Sequence, residues 1–139
     1  MQYRKFENIW MVRLDLGEDV IAQLKKLCEE ERICLGKVEA IGATDKAVIG
    51  VYDLEKKEYY PEEISEFMEI TSLNGNITAM DGKLYIHLHA VLADQRHAVH
   101  SGHVLKMRVG ATCEMFITAL DGKVTRTKDE ALGINLWSL

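Results

Sequence analysis

Asp81-Gly82-Lys83-Leu84-Tyr85-Ile86-His87-Leu88-His89-Ala90-Val91-Leu92 is the stretch on which the fold turns. From Leu84 onward the residues alternate. Leu84, Ile86, Leu88, Ala90 and Leu92 share one wholly apolar face, and Tyr85, His87, His89 and Val91 share the other. A period of two belongs to a β-strand with one buried side. Asp81-Gly82 stands between this run and the apolar run before it. That placement predicts a hairpin, because glycine accepts the positive φ that tight turns need.

The same reading extends outward in both directions. Ile9 to Leu16 predicts a strand with Trp10, Val12, Leu14 and Leu16 on one side, ended by Gly17. Glu18 to Arg32 predicts a helix, with Val20, Ile21, Leu24, Leu27 and Cys28 on one stripe. Glu18 and Asp19 fall in its first turn, where the helix dipole favours acids, while Glu29 to Glu31 crowd the end where it does not. Gly36 is the expected stop. Lys37 to Ile41 and Lys46 to Tyr52 predict two strands around Gly42-Ala43-Thr44. Phe67 to Leu73 predicts another, with a bulge or bend at Gly75. Thr112 to Leu120 alternates with Cys113, Met115, Ile117 and Ala119 inward. Asp121-Gly122 predicts a second turn, and Leu132 to Trp137 a short closing strand.

Strands mostly follow strands, so the expected class is α/β in its α+β form. It is a largely antiparallel sheet of about six or seven strands with one main helix on one face. Several strands carry apolar residues on both sides, and one helix cannot cover both. A second subunit is expected over the other face.

With 139 residues, 47% of them hydrophobic and 28% charged, the chain has the composition of a single folded domain spanning residues 1–139. Seventeen Lys and Arg against twenty-two Asp and Glu give a net charge of −5, which disfavours a general nucleic-acid binder. The charge is uneven. Asp53 to Glu69 carries seven acids against Lys56 and Lys57, and Asp94 to Lys128 carries six bases against Asp94, Glu114 and Asp121. These stretches are read as solvated, with subunit complementarity as the alternative. No apolar run is long enough to cross a bilayer and no secretory leader is present at the N-terminus, so a cytoplasmic location without membrane partners is expected. Cys28, Cys34 and Cys113 form no CxxC pattern and are read as reduced thiols in the core.

His87 and His89, two apart on one strand, project from the same face. Two neutral imidazoles so placed can share a cation such as Zn²⁺. His103 can return beside them if the chain turns back antiparallel, completing three histidines and an open position. The competing reading is two exposed or hydrogen-bonded histidines. His97 and His100 lie between and are read as solvated, with a fourth metal contact as the alternative. Glu39, Glu69 and Glu114 are candidate partners for a histidine, and exposed strand carboxylates otherwise. Trp10 and Trp137 are read as core or interface residues. GxGxxG, Walker, GxSxG and HExxH motifs are absent.

Phe67-Met68-Glu69-Ile70-Thr71-Ser72-Leu73-Asn74-Gly75-Asn76-Ile77 resembles the F-E-I-x-S-L-x-G-x-I signature of the PPC (plant and prokaryote conserved) domain. Ile86 to Ala90 with Ser101-Gly102-His103 resembles its H-x-H and G-G-H segments, and Gly36 to Ala43 with Ala47 to Tyr52 its G-x-V-x-x-I-G-A and A-x-x-G-x-Y region. The resemblance implies an antiparallel-rich α/β fold, a homotrimer, and a metal, zinc, held by His87, His89 and His103. Ser101 stands where the family has glycine, which restricts the backbone leading to His103. Plant members follow a DNA-binding AT-hook, an element this sequence lacks, so DNA binding is not carried over. The expected function is a cytoplasmic homotrimeric zinc-binding protein with a small-molecule ligand at the subunit interface. A DNA-associated regulatory module and a structural oligomer without metal are the alternatives.

Overall fold

The computed structural model describes all 139 residues, Met1–Leu139. Its elements are β1 (Gln2–Phe6), β2 (Ile9–Asp15), α1 (Val20–Glu30), β3 (Gly36–Asp53), β4 (Glu58–Ile64), β5 (Met68–Met80), β6 (Lys83–Ala93), β7 (Val99–Ala119), β8 (Thr125–Asp129) and β9 (Ile134–Ser138). All nine strands belong to one sheet, ordered β1-β2-β7-β3-β5-β8-β9, with β4 on β3 and β6 paired to both β5 and β7. Because β3, β5, β6 and β7 each pair with two of the others, they close into a ring. Every pairing is antiparallel except a single parallel contact between β5 and β8.

The alternation read in β6 becomes burial. Leu88, Ala90 and Leu92 are buried, while His89 and Val91 are exposed. Trp10, Val12 and Leu14 of β2 and Cys113, Met115 and Ile117 of β7 are buried on the same principle. Leu16 is exposed, because it lies beyond the end of β2. Val20, Leu24, Leu27 and Cys28 of α1 pack into this core. Asp81 and Gly82 both take positive φ, 51° and 75°, as the β5–β6 hairpin requires.

The strand count expected from sequence is low by two or three. Gln2–Phe6 is exposed along its whole length, and Glu58–Ile64 nearly so. A strand wet on both sides carries no period-two apolar signal. Thr125–Asp129 is masked in the same way by its polar composition. Two expected strands also merge. Gly42-Ala43-Thr44 is a run of register shifts inside the 18-residue β3, not a turn, because the 21-residue β7 accompanies it throughout. Asp121-Gly122 joins strands that do not pair with each other, so it is a bend and not a hairpin.

The helix is shorter than predicted at both ends. Asp19 is its N-cap, its side chain accepting the Ala22 N–H at 2.7 Å. Glu18 lies outside and binds the N-terminal ammonium at 2.6 Å. At the other end Arg32 turns left-handed, at φ 57°, and the Ile33 N–H reaches the Cys28 carbonyl at 2.8 Å. This six-to-one closure stops the helix before Gly36, which opens β3 instead.

Candidate metal centre

β6 and β7 pair so that His89 stands directly opposite His103, with Ala90 opposite Gly102 and Val91 opposite Ser101. On the other side of β6, His87 pairs with Asn76 and His89 with Asn74 of β5. His103 is therefore delivered by strand register, on extended backbone. Ser101 lies in regular strand, where a side chain is no obstacle.

The ligating atoms of His87, His89 and His103 all lie within 4.8 Å of one another. His87 Nε2 is 3.1 Å from His89 Nε2. The His87 and His103 rings are 4.9 Å apart between centroids, and those of His89 and His103 5.5 Å. Tyr59 stacks on His103 at 4.9 Å and 29°. Zinc–nitrogen bonds of about 2.0–2.1 Å place two ligands of a tetrahedral ion about 3.3 Å apart, so the donor set fits a metal. Protonation states fit as well. Burial, with the neighbouring His103 and His89, pushes the His87 imidazole down to about 4, and burial with His89 lowers that of His103. Both rings are then neutral near pH 7, the form that ligates. His103 Nδ1 is buried without a hydrogen-bond partner.

The depressed His87 and His103 values make a pH prediction. Between an ordinary histidine value of about 6.5 and the folded value of His87 near 4, the unfolded chain binds protons that the folded chain refuses. Stability of the metal-free protein is therefore full above pH 6.5 and declines as the pH falls toward 4. Thermal melts in EDTA should show a lower midpoint at pH 4.8 than at pH 7. A flat profile over that window would contradict the geometry.

The other candidates fall elsewhere. His97 is exposed in a turn at φ 63°. His100 is the second residue of β7 and its Nδ1 meets Glu62 Oε1 at 2.8 Å, joining the basic and acidic stretches within one chain. Neither reaches the histidine cluster. Glu39, Glu69 and Glu114 are exposed and touch no histidine; Glu39 pairs with Lys37 at 2.8 Å. Cys28 and Cys113 are core residues, their thiols pushed up to about 12 and about 11 by burial, whereas Cys34 is exposed, contrary to the core reading.

The cluster opens on a cavity of about 600 Å³. Tyr85, placed on the histidine face by sequence, lines it with Tyr52, Tyr59 and Asn76. The rest of the wall comes from the β8–β9 hairpin, including Arg126, Asn135 and Trp137. Trp137 is half exposed there, and so is a wall of the cavity and not a core residue. Arg126 is the one formally charged lining residue. Its Nε donates to Thr78 Oγ1 at 2.9 Å, Nη1 to the Asn135 carbonyl at 2.7 Å and Nη2 to Asn76 Oδ1 at 2.8 Å. A 3.5 Å approach of Nη2 to His87 Nδ1 is at the outer edge of a hydrogen bond. Sequence reasoning missed Arg126, Asn76, Asn135 and Tyr59. Only the Asn76–His87 register and the return of the hairpin bring them here.

The model of the Plants and Prokaryotes Conserved (PCC) domain matches residues 1–121. The chain belongs to this family. It is the PPC family of the sequence resemblance, and the β8–β9 hairpin lies beyond the matched part. Among solved structures, a metal-containing protein from Archaeoglobus fulgidus is 39% identical, with a TM-score of 0.89 over 100% of both chains. A plant- and prokaryote-conserved protein from Pyrococcus horikoshii is 28% identical, with a TM-score of 0.89 over 99% of this chain and 94% of that one. A proposed DNA-binding protein from Bacteroides thetaiotaomicron is 26% identical, with a TM-score of 0.95 over 99% and 96%. No curated protein sequence matches this PCC domain. No helix in it is long and apolar enough to cross a membrane.

Proposed function

We propose that this PCC-domain protein binds one zinc ion per chain through His87, His89 and His103, as a cytoplasmic homotrimer that holds a small-molecule ligand in the adjoining cavity. The convergence of three imidazoles within 4.8 Å carries the reading. The Archaeoglobus relative, named as metal-containing, supports it. When bound by three neutral histidines, zinc supplies a Lewis acid with an open position. The protein's own contribution is to keep His87 and His103 unprotonated by burial, to hold His103 against Tyr59, and to wall the cavity with aromatic rings.

Assembly is supported by the outward sheet face. Met11 and Phe116 stand directly opposite each other on β2 and β7, with Ile41 alongside on β3. Their exposures of 46%, 48% and 59% put three large apolar side chains on this outward face, beside Glu39 and Glu114, and a second copy would cover them. Three free thiols are consistent with a reducing compartment.

The DNA-associated alternative finds less support. Of the six bases from Arg96 to Lys128, Arg108 is paired with Asp45, Arg96 with Asp94 and Lys128 with Glu130, and Arg126 is buried at the histidine cavity. Only Lys106 and Lys123 of the six are left without an acidic partner or burial, few cations for a phosphate backbone.

Metal analysis of protein purified without a histidine tag should find zinc near one equivalent per chain. Light scattering should return three times the 15.8 kDa chain mass. Zinc below a tenth of an equivalent, with no thermal shift on adding zinc, would remove the metal site. A monomer in solution would remove the trimer.

A further inference from the structure

We propose that the cavity beside the histidines receives a small organic carboxylate, with Arg126 as its anion-binding residue. The proposal deepens the metal-site reading and rests on it for the second anchor of the ligand.

Arg126 is 7% exposed and has no acidic partner. A guanidinium buried that deeply is normally paired, because losing water around a charge is costly. Here neutral groups hold it. Thr78, Asn76 and the Asn135 carbonyl accept three of its five N–H groups at 2.7–2.9 Å, and Tyr85 lies under it at 4.6 Å. Two N–H groups lack a short partner, and the positive charge is not neutralised. The cavity wall carries no Asp or Glu that could do it.

The chemistry of the occupant follows. Arg126 is the only charged side chain in the wall, with no lysine beside it. The planar fork of a guanidinium matches a carboxylate. Tyr85 and Trp137 flank the guanidinium and offer flat apolar walls for the ligand's body. The 3.5 Å approach of Nη2 to His87 puts the anion site beside the histidine cluster, so the carboxylate end lies next to the metal position.

The same bonds also pin the β8–β9 hairpin onto β5, and a purely structural latch must be told apart from a receptor. Benzoate and its neutral isostere benzamide do so when wild type and Arg126→Lys are compared, the metal being common to both. Calorimetry on the zinc-loaded trimer should give benzoate binding at least about tenfold tighter than benzamide, the effect of one charge-assisted pair. Arg126→Lys keeps the charge and loses the fork. It should weaken benzoate by about tenfold and leave the zinc stoichiometry unchanged. Equal binding of benzoate and benzamide, or benzoate affinity indifferent to Arg126→Lys, would overturn the assignment. Preference for inorganic phosphate over benzoate would overturn the carboxylate class. Should the protein hold no zinc, the metal reading fails by itself, and the benzoate–benzamide difference on the zinc-free protein still decides the role of Arg126.

Discussion

A His89→Ala variant should lose zinc affinity by about 100-fold or more while melting within a few degrees of the parent. The two halves of that expectation come from different facts. His89 is exposed, so removing its ring leaves no core cavity. Its side chain also has no hydrogen bond except the 3.1 Å approach to His87 Nε2. As a ligand it is worth more than an outer partner of a metal histidine, whose loss alone costs about 10–100-fold. Competition with a chromophoric chelator measures the first half and differential scanning fluorimetry the second. Unchanged zinc affinity would mean the ion sits elsewhere. A large fall in the melting midpoint of the metal-free variant would favour the histidines as interface filler.

Gly75→Ala should be the most damaging single substitution near the site. Gly75 lies in β5 between two partners, opposite Val38 of β3 and Leu88 of β6. A methyl group there would stand 2.0 Å from the His87 carbonyl oxygen and 2.7 Å from Leu88 Cδ2. Neither side of an interior strand can retreat without breaking a ladder. We expect a loss of about 3 kcal/mol or more, the upper range for overpacking, and a melting midpoint lower by about 10 °C. Gly82→Ala is the reference. Its φ is 75° but no atom lies within 4 Å, so only backbone strain of about 1 kcal/mol is added. Urea midpoints of the two variants decide it. If Gly75→Ala is no worse than Gly82→Ala, the close approach of β5 and β6 is not as described. Of the bulge or bend expected at Gly75, the register shows no bulge there, and the irregularity falls between Ile70 and Ser72. The glycine is there because two backbones nearly touch beside His87.

How much could be read in advance varied with burial. β2, β6, the second half of β7 and α1 were legible, because each sets an apolar face against the core. β1, β4 and β8 were not, because solvent-facing or polar strands leave no periodic mark. The merging of two short segments into β3 was hidden for another reason. Gly42 looks like a turn to local rules, yet a Cβ at that position would stand 2.2 Å from the Thr112 oxygen, a constraint that exists only when β7 lies alongside.

The sequence by itself determined that His87, His89 and Tyr85 share one face of a strand, since a period of two is a property of the local backbone. Only the tertiary structure decided that His103 stands opposite His89, that Asn76 stands opposite His87, and that Arg126 comes back over them on a hairpin outside the family's matched region. Those neighbours are set by register between strands distant in the chain, and a slip of one residue would turn every one of these side chains to the other face. Register is chosen by packing over the whole sheet and by its bulges, which no short stretch of residues encodes.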